Sequence, residues 1–324
     1  MKAAIYRAYG PPDVLSVGEV ERPTPKAGEV LVKVIATTVT SGDCRIRSFK
    51  DAGIYWLPMR LLFGIFRPRN PVPGMEFCGQ VVETGALVCS FAVGEYVFGV
   101  KVGSTNAEFV SISEKAALAR KPETLTFEQA AAVPFGALAA YSFVRNSAQL
   151  KAGQRILIYG ASGAVGVFAI QISKILGAHV TAVCSTKNLR LVKELGADVA
   201  IDYTITDFSA EGSLYDVILD TVGQTSFSRC RASLTARGRH VFAVQRAPQL
   251  LQALATSLGR GRRVICGISW DTQENLELIK QWIDEGLLKP VIDRKYSLDD
   301  IRAAHRYVET GRKRGAVVLK VQAS

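Results

Sequence analysis

Residues 155–166 read RILIYGASGAVG. RILIY is a short apolar run rich in branched and aromatic residues, the texture of a buried strand. It runs into Gly160-Ala161-Ser162-Gly163-Ala164-Val165-Gly166. Helical spacing then follows in Val165, Phe168, Ile172, Ile175 and Leu176, closed by Gly177. A strand, a loop of small residues and a helix, in that order, make an anion site. The helix start offers unpaired N–H groups and a positive dipole end, and small side chains let the backbone approach a pyrophosphate. Outward from this stretch the pattern repeats: HVTAV (179–183), a helix from Asn188 to Leu195 ended by Gly196, VAI (199–201), YDVILD (215–220), RHVFAV (239–244), a helical stretch at 248–258, and RRVICGI (262–268). Strands alternating with helices predict βαβ units and a doubly wound parallel sheet.

The loop predicts a dinucleotide, bound by Ser162, Gly163, Ala164, Val165 and Gly166. In NAD-binding loops of this kind an acid about 20 positions on grips the ribose 2′-hydroxyl. Here HVTAV runs into Cys184-Ser185-Thr186-Lys187-Asn188, and no acid appears before Glu194. A carboxylate repels a 2′-phosphate, whereas a hydroxyl and an ammonium bind one. The expected cofactor is therefore NADPH, with Ser185 and Lys187 on the 2′-phosphate and Arg190 near it. Asp220 to Gly223, ending the fourth strand, are expected near the adenosine.

Before residue 125 the texture differs. Short apolar runs (2–6, 14–20, 30–39, 80–83, 96–100) are broken by turns such as Gly10-Pro11-Pro12 and Pro71–Gly74, which predicts a β-rich domain. A basic, aromatic loop from Arg47 to Pro71 interrupts it. After 270, residues 271–286 read as helix and 289–296 and 315–321 as extended, so the chain returns to the β-rich domain. The 324 residues suit about two domains. No apolar run reaches the ~18 residues of a membrane span, and the opening MKAAIYRAYGPP reads as strand and turn rather than a secretory signal. Six scattered cysteines without a CxxC pair point to a reduced, cytoplasmic setting, and the three histidines lack metal-site spacing. The net charge of +11 is concentrated late, in Arg229, Arg231, Arg237, Arg239, Arg260, Arg262, Arg263, Arg312, Lys313 and Arg314. No aromatic residues are interleaved with them, so they read as a solvated basic surface and a pocket for a phosphorylated ligand rather than a nucleic-acid platform, and without an apolar span no membrane is expected as a partner.

With these motifs in hand, the chain resembles the medium-chain dehydrogenase/reductase superfamily, in its zinc-independent quinone oxidoreductase branch. The likeness runs along nearly the whole chain: the opening MKAAIYRAYGPPDVLSVGEVERPTPKAGEVLVKV, GMEFCGQVVETG, GEYVFG, AAAVPFGALAAYSF, GASGAVG and GRKRGAVVLKV. It implies an α/β architecture with a GroES-like β-rich catalytic domain in residues 1–124, a Rossmann NADPH-binding domain in 125–270 and a return to the catalytic domain in 271–324. It also implies an active site in the cleft between them. Tyr203, in IDYT, matches a tyrosine that holds the 2′-phosphate beside Lys187. Val244 and Ile268 fall where such sheets present backbone to the nicotinamide. A homodimer through residues 263–268 is the family's usual assembly. At the three positions of the zinc ligands in zinc-dependent relatives this chain has Thr40, Met75 and Phe135, so no metal is expected. Thr40 and Ala139 also depart from the branch's usual Asn and Thr.

Without a Lewis acid, the protein must orient an acceptor that is electrophilic by itself, and quinones and α,β-unsaturated carbonyls fit. Candidate catalytic residues are Tyr55, as phenolic donor, and Arg45 or Arg47, stabilising negative charge. Asp43 joins them through a hydrogen bond that positions the loop. Cys44 has no histidine close in sequence to activate it. Two other functions suit the same pattern: an enoyl-thioester reductase, and an NADPH-binding protein of little turnover with a sensing, structural or RNA-binding role.

Overall fold

The computed structural model describes all residues except 50–55, 211, 213, 260, 268, 270 and 322–324. The chain forms two compact units, the first of residues 1–135, 271–286 and 290–324 and the second of residues 136–270 and 287–289.

The first unit begins with β1 (Lys2–Tyr6) and β2 (Leu15–Glu19), an antiparallel pair. Then come β3 (Glu29–Val39), α1 (Ser41–Ser48), α2 (Trp56–Phe63), β4 (Glu76–Thr84), β5 (Tyr96–Val100), β6 (Phe109–Ser113), β7 (Leu118–Arg120) and α3 (Phe127–Ala131). The stretch from Arg47 to Pro71, read as a loop, thus carries the end of α1 and all of α2. The second unit contains α4 (Pro134–Tyr141, from its third residue), β8 (Arg155–Tyr159), α5 (Ala164–Ile175), β9 (His179–Cys184), α6 (Leu189–Glu194), β10 (Val199–Asp202), β11 (Tyr215–Asp220), α7 (Phe227–Cys230), β12 (Leu234–Phe242), α8 (Ala247–Ser257) and β13 (Arg263–Cys266). The chain then returns to the first unit with α9 (Gln273–Asp284), β14 (Ile292–Ser297), α10 (Ile301–Glu309) and β15 (Ala316–Lys320). The boundary falls after Phe135 rather than at 124/125, because α3 packs on β3 and β4.

In the first unit β15 pairs antiparallel with β3, which also pairs with β4 and β6; the sheet runs β14-β15-β3-β4-β5-β7. One core lies under this sheet, around Val30, Val32, Phe77, Val97 and Leu118. A second gathers Leu15, Val39, Ile301, Ala304 and Val317 beneath α10. In the second unit six parallel strands run β10-β9-β8-β11-β12-β13. The order reverses direction at β8/β11, and in such sheets ligands bind beyond the carboxyl ends at that switch point. Strands β8, β9 and β11 are almost wholly buried, as a parallel sheet covered on both faces requires.

Candidate cofactor and acceptor sites

The parallel sheet brings the strand ends level. Tyr159 pairs with Val183 and Asp220, Asp220 with Phe242, Phe242 with Cys266, and Cys184 with Asp202. The loops that follow β8, β9, β10, β11 and β12 therefore share one edge. On it lie Ser162 to Gly166, Ser185, Lys187, Tyr203 and Val244; Ile268 lies outside the described residues.

The glycine loop is packed shut from below. Gly160 has φ +79°, the left-handed region that glycine enters at no steric cost, and a Cβ on Gly166 would stand 2.4 Å from the Gly160 carbonyl oxygen. Gly163 is the N-cap of α5 and has no side chain to cap with. The first-turn N–H groups of Ala164, Val165 and Gly166 are thus left for an external acceptor, at the positive end of the helix dipole. Asn188 donates through Nδ2 to Ser162 Oγ (2.9 Å) and to Ser185 Oγ (3.3 Å), tying the glycine loop to the end of β9. Sequence reading took Asn188 only as a helix start; its bridging role depends on two loops meeting.

Lys187 is exposed in a single turn, Thr186–Asn188. Tyr203 is half exposed, donates its N–H to the Cys184 carbonyl (3.1 Å), and lies 6.1 Å, ring to ring, from Tyr159. The nearby Asp202 is buried, and its carboxylate accepts from Thr204 N (2.9 Å) and Oγ1 (2.7 Å) instead of facing outward. Arg190, expected near the phosphate, is paired with Glu194 at 2.6 Å. Asp220 is wholly buried and accepts the N–H groups of Val222, Gly223 and Thr225, which fixes the turn after β11.

In the first unit Asp43 and Thr40 form a capping box at the start of α1. Asp43 Oδ2 accepts from Thr40 N (2.8 Å) and Oδ1 from Gly74 N (2.9 Å), joining α1 to the turn before β4. Burial pushes its carboxyl up to about 6, against the hydrogen bonds from Thr40 and Gly74 that pull it down. Glu76 is likewise buried and pushed up to about 7, above all by desolvation. Its Oε1 accepts from Thr38 Oγ1 (2.6 Å) and its Oε2 from Phe135 N (2.7 Å). Beside Asp43, Gly74 and Met75 a pocket opens, walled by Ile46, Leu62 and Phe63, with Tyr6 and Arg69 as polar members. The Tyr6 phenol is pushed up by burial, then by Tyr9 and Asp43, so it stays protonated.

Arg45 is exposed on α1, and Tyr55 lies outside the described residues. Arg47 does not meet the expectation that it stabilises substrate charge. It is completely buried, paired with Glu309, and donates to the Gly10 carbonyl. Cys44 does meet a histidine, 261 residues away: His305 Nδ1 at 3.4 Å. This is no nucleophile–base pair. Burial, then Asp43, pushes the thiol up to about 12, while burial and then Arg47 push the imidazole down to about 3. Four of the late arginines are engaged within the fold: Arg229 with Asp207, Arg239 with Gln154, Arg262 with the Leu234 carbonyl and Arg314 with Asp293. Lys313 is half-buried within the first unit and pushed down to about 8 by desolvation.

Two protein-family models match the chain. The alcohol dehydrogenase GroES-like domain covers residues 26–154, and the zinc-binding dehydrogenase domain covers residues 195–319. A 2-methylene-furan-3-one reductase of Solanum lycopersicum is 33% identical over 98% of this chain and 79% of its own length. An NADPH-dependent alkenal/one oxidoreductase of Arabidopsis thaliana, chloroplastic, is 31% identical over 98% of this chain and 79% of its own. The structure of the quinone oxidoreductase from Coxiella burnetii superposes with a TM-score of 0.87 at 28% identity, covering 99% of each chain. The zinc in the second model's description does not fit the residues present. Thr40, Met75 and Phe135 carry no strong ligand, and the carboxylates beside them are occupied by Thr38, Thr40, Gly74 and Phe135. Among the described residues no group of three His, Cys, Asp or Glu side chains could hold a metal. With family models on both halves of the fold and relatives above 30% identity matched over 98% of this chain, the chain belongs to the medium-chain dehydrogenase/reductase superfamily, in its quinone oxidoreductase-like branch, and is a nicotinamide-dependent oxidoreductase.

Proposed function

We propose that the protein reduces quinones or α,β-unsaturated carbonyls with NADPH and without a metal. The observation that carries this reading is the anion cradle on one sheet edge. A bare helix N-terminus at Gly163 is tied by Asn188 to a strand end that carries Ser185 and Lys187 and no outward carboxylate. Ser162 to Gly166 hold the pyrophosphate through backbone N–H groups. Ser185, Lys187 and Tyr203 take the 2′-phosphate, and the backbone at Val244 borders the nicotinamide. The Arabidopsis relative is named for NADPH, which supports the same choice.

Bound NADPH supplies hydride. The protein's own part is to place and shield an acceptor and to bind the charge that develops on its oxygen. The pocket beside Met75 suits a flat apolar acceptor, and the protonated phenol of Tyr6 is an O–H donor on its wall. Tyr55 and Arg45 are the further candidates for donating to the developing enolate or hydroquinone oxygen. Asp43 acts on Arg45 through position, holding α1 against the Gly74 turn. The names of the tomato and Coxiella relatives support the acceptor class.

A homodimer fits the second unit. Strand β13 is at the edge of its sheet, and α8 beside it buries no residue and exposes Leu251, Leu254 and Leu258 at helical spacing. Six free cysteines, four of them buried, suit a cytoplasmic, reducing compartment.

The test follows NADPH oxidation with an ortho-quinone and, in parallel, with a short 2-alkenal, with a no-acceptor control and a chelator. Turnover untouched by chelator is expected with one or both. NADPH binding without turnover on either acceptor refutes the acceptor class, and chelator-sensitive turnover refutes the metal-free chemistry.

A further inference from the structure

Helix α2 leaves an apolar face open. At 100° per residue Met59, Arg60 and Phe63 share one face, and Leu57, Pro58, Leu61 and Leu62 the other. A surface helix normally buries its apolar face and wets its charges. Here the one charged residue is turned inward: the Arg60 guanidinium lies over the rings of Tyr9 (4.0 Å) and Phe49 (4.4 Å) and donates to the Ile65 carbonyl at 2.8 Å. On the other face Leu57, Leu61 and Leu62 are exposed, and no residue of α2 is buried; Trp56, on the Arg60 face with its ring 5.3 Å from that guanidinium, is also exposed. The turn that follows extends the same surface with Ile65 and with Phe66, which is 91% exposed.

The charge within this segment has one sign. From Trp56 to Arg69 the chain contains no acid, and Arg67 and Arg69 are exposed directly after Phe66. Exposed Trp, Leu and Phe bordered by arginines, with no carboxylate among them, match the headgroup region of an anionic bilayer. There the apolar groups enter the acyl boundary and the guanidinium groups meet lipid phosphates. We propose that Trp56 to Arg69 is a docking surface for anionic lipid membranes, on which the protein lies without crossing the bilayer. Leu62 and Phe63 also wall the pocket beside Met75, so docking carries the pocket mouth to the lipid and favours acceptors dissolved there. That consequence, unlike the docking itself, rests on the acceptor function proposed above.

The experiment is vesicle cosedimentation of the intact protein, which reads docking without any turnover. The vesicles are phosphatidylcholine alone, or phosphatidylcholine with roughly a third phosphatidylglycerol. Binding to the anionic vesicles, little to the neutral ones, and release at about 0.5 M salt are expected. Phe66→Asp should lower the bound fraction about tenfold or more. Arg67→Glu should lower it about fivefold. Leu87→Asp, at another exposed apolar site, should leave it unchanged; thermal melting checks that each variant folds. Absence of binding to anionic vesicles overturns the proposal, as does equal loss with Leu87→Asp. Light scattering that shows Phe66→Asp splitting an oligomer, without lipid binding in the parent, assigns the surface to a second copy instead and also overturns it.

Discussion

Two alanine substitutions in one loop should separate packing from cofactor contact. A Cβ at Gly166 would lie 2.4 Å from the Gly160 oxygen and 2.6 Å from the Ala161 carbonyl, whereas at Gly163 the nearest neighbour is 3.4 Å away. Gly166→Ala therefore forces about 1 Å of movement between loop and helix, whereas Gly163→Ala forces none in the free protein. Overpacking of this kind costs about 1–3 kcal/mol. At ~2–4 °C per kcal/mol that lowers Tm by roughly 3–10 °C. The same movement misaligns one or two N–H groups aimed at phosphate, each worth about 1.5–3 kcal/mol. NADPH binding should then weaken by about 2–4 kcal/mol, roughly 30- to 1000-fold in Kd. Gly163→Ala leaves the loop intact but sets a methyl where the pyrophosphate approaches. It should weaken NADPH to a similar degree while moving Tm by no more than about 2 °C. The assay is fluorescence titration with NADPH beside thermal melting of the free protein. Full NADPH affinity in Gly163→Ala refutes the placement of phosphate at this helix start, and an unchanged Tm in Gly166→Ala refutes the packing argument.

Three further outcomes follow from the geometry. Lys187→Ala should raise the Kd for NADPH about 5- to 30-fold and leave that for NADH nearly unchanged, so isothermal titration with both cofactors checks the 2′-phosphate assignment. Glu309→Ala strands the wholly buried Arg47 guanidinium and should cost about 3–5 kcal/mol. Arg47→Met leaves only Glu309, whose side chain is 32% exposed, and should cost less by urea unfolding. The imidazole of His305 is held neutral, down to about 3 from 6.5 by burial and then Arg47. A depressed folded value means its contribution is complete above pH 6.5 and is lost as pH falls toward 3. The Tm deficit of His305→Gln should therefore shrink between pH 7 and pH 4, and a constant deficit contradicts the assignment.

The second unit was largely legible in the sequence because its strands are buried on both faces and its helices are punctuated by glycine. Strands β8 and β11 fall where RILIY and YDVILD stand, and Gly177 and Gly196 end α5 and α6 one or two residues late. The glycine loop was equally legible, since steric demand at Gly160 and Gly166 is local. The Arg47–Pro71 stretch was not, because α2 carries apolar residues on both faces, so its pattern holds no signal of inside and outside. Helix α10 was missed although Ile301, Ala304, His305 and Val308 follow helical spacing; an alanine and a histidine in a four-residue stripe make a faint apolar signal. The buried charges had no local signature at all. Whether Arg47 meets a substrate or Glu309, and whether Cys44 meets a histidine, is decided by a helix more than 250 residues away.

The pairing of β15 with β3 has a consequence for synthesis. Val317 to Lys320 lie against Ala36 to Val39, so the seven-stranded sheet stays open until nearly the whole chain has left the ribosome. The second unit, built from an almost continuous stretch, can close while the strands of the first wait with apolar edges bare. Truncation before residue 316 should thus cost far more than the few residues removed. It would expose the edge of β3, a long strand with seven wholly or nearly buried apolar and threonine positions among its last nine, to pairing with other nascent chains.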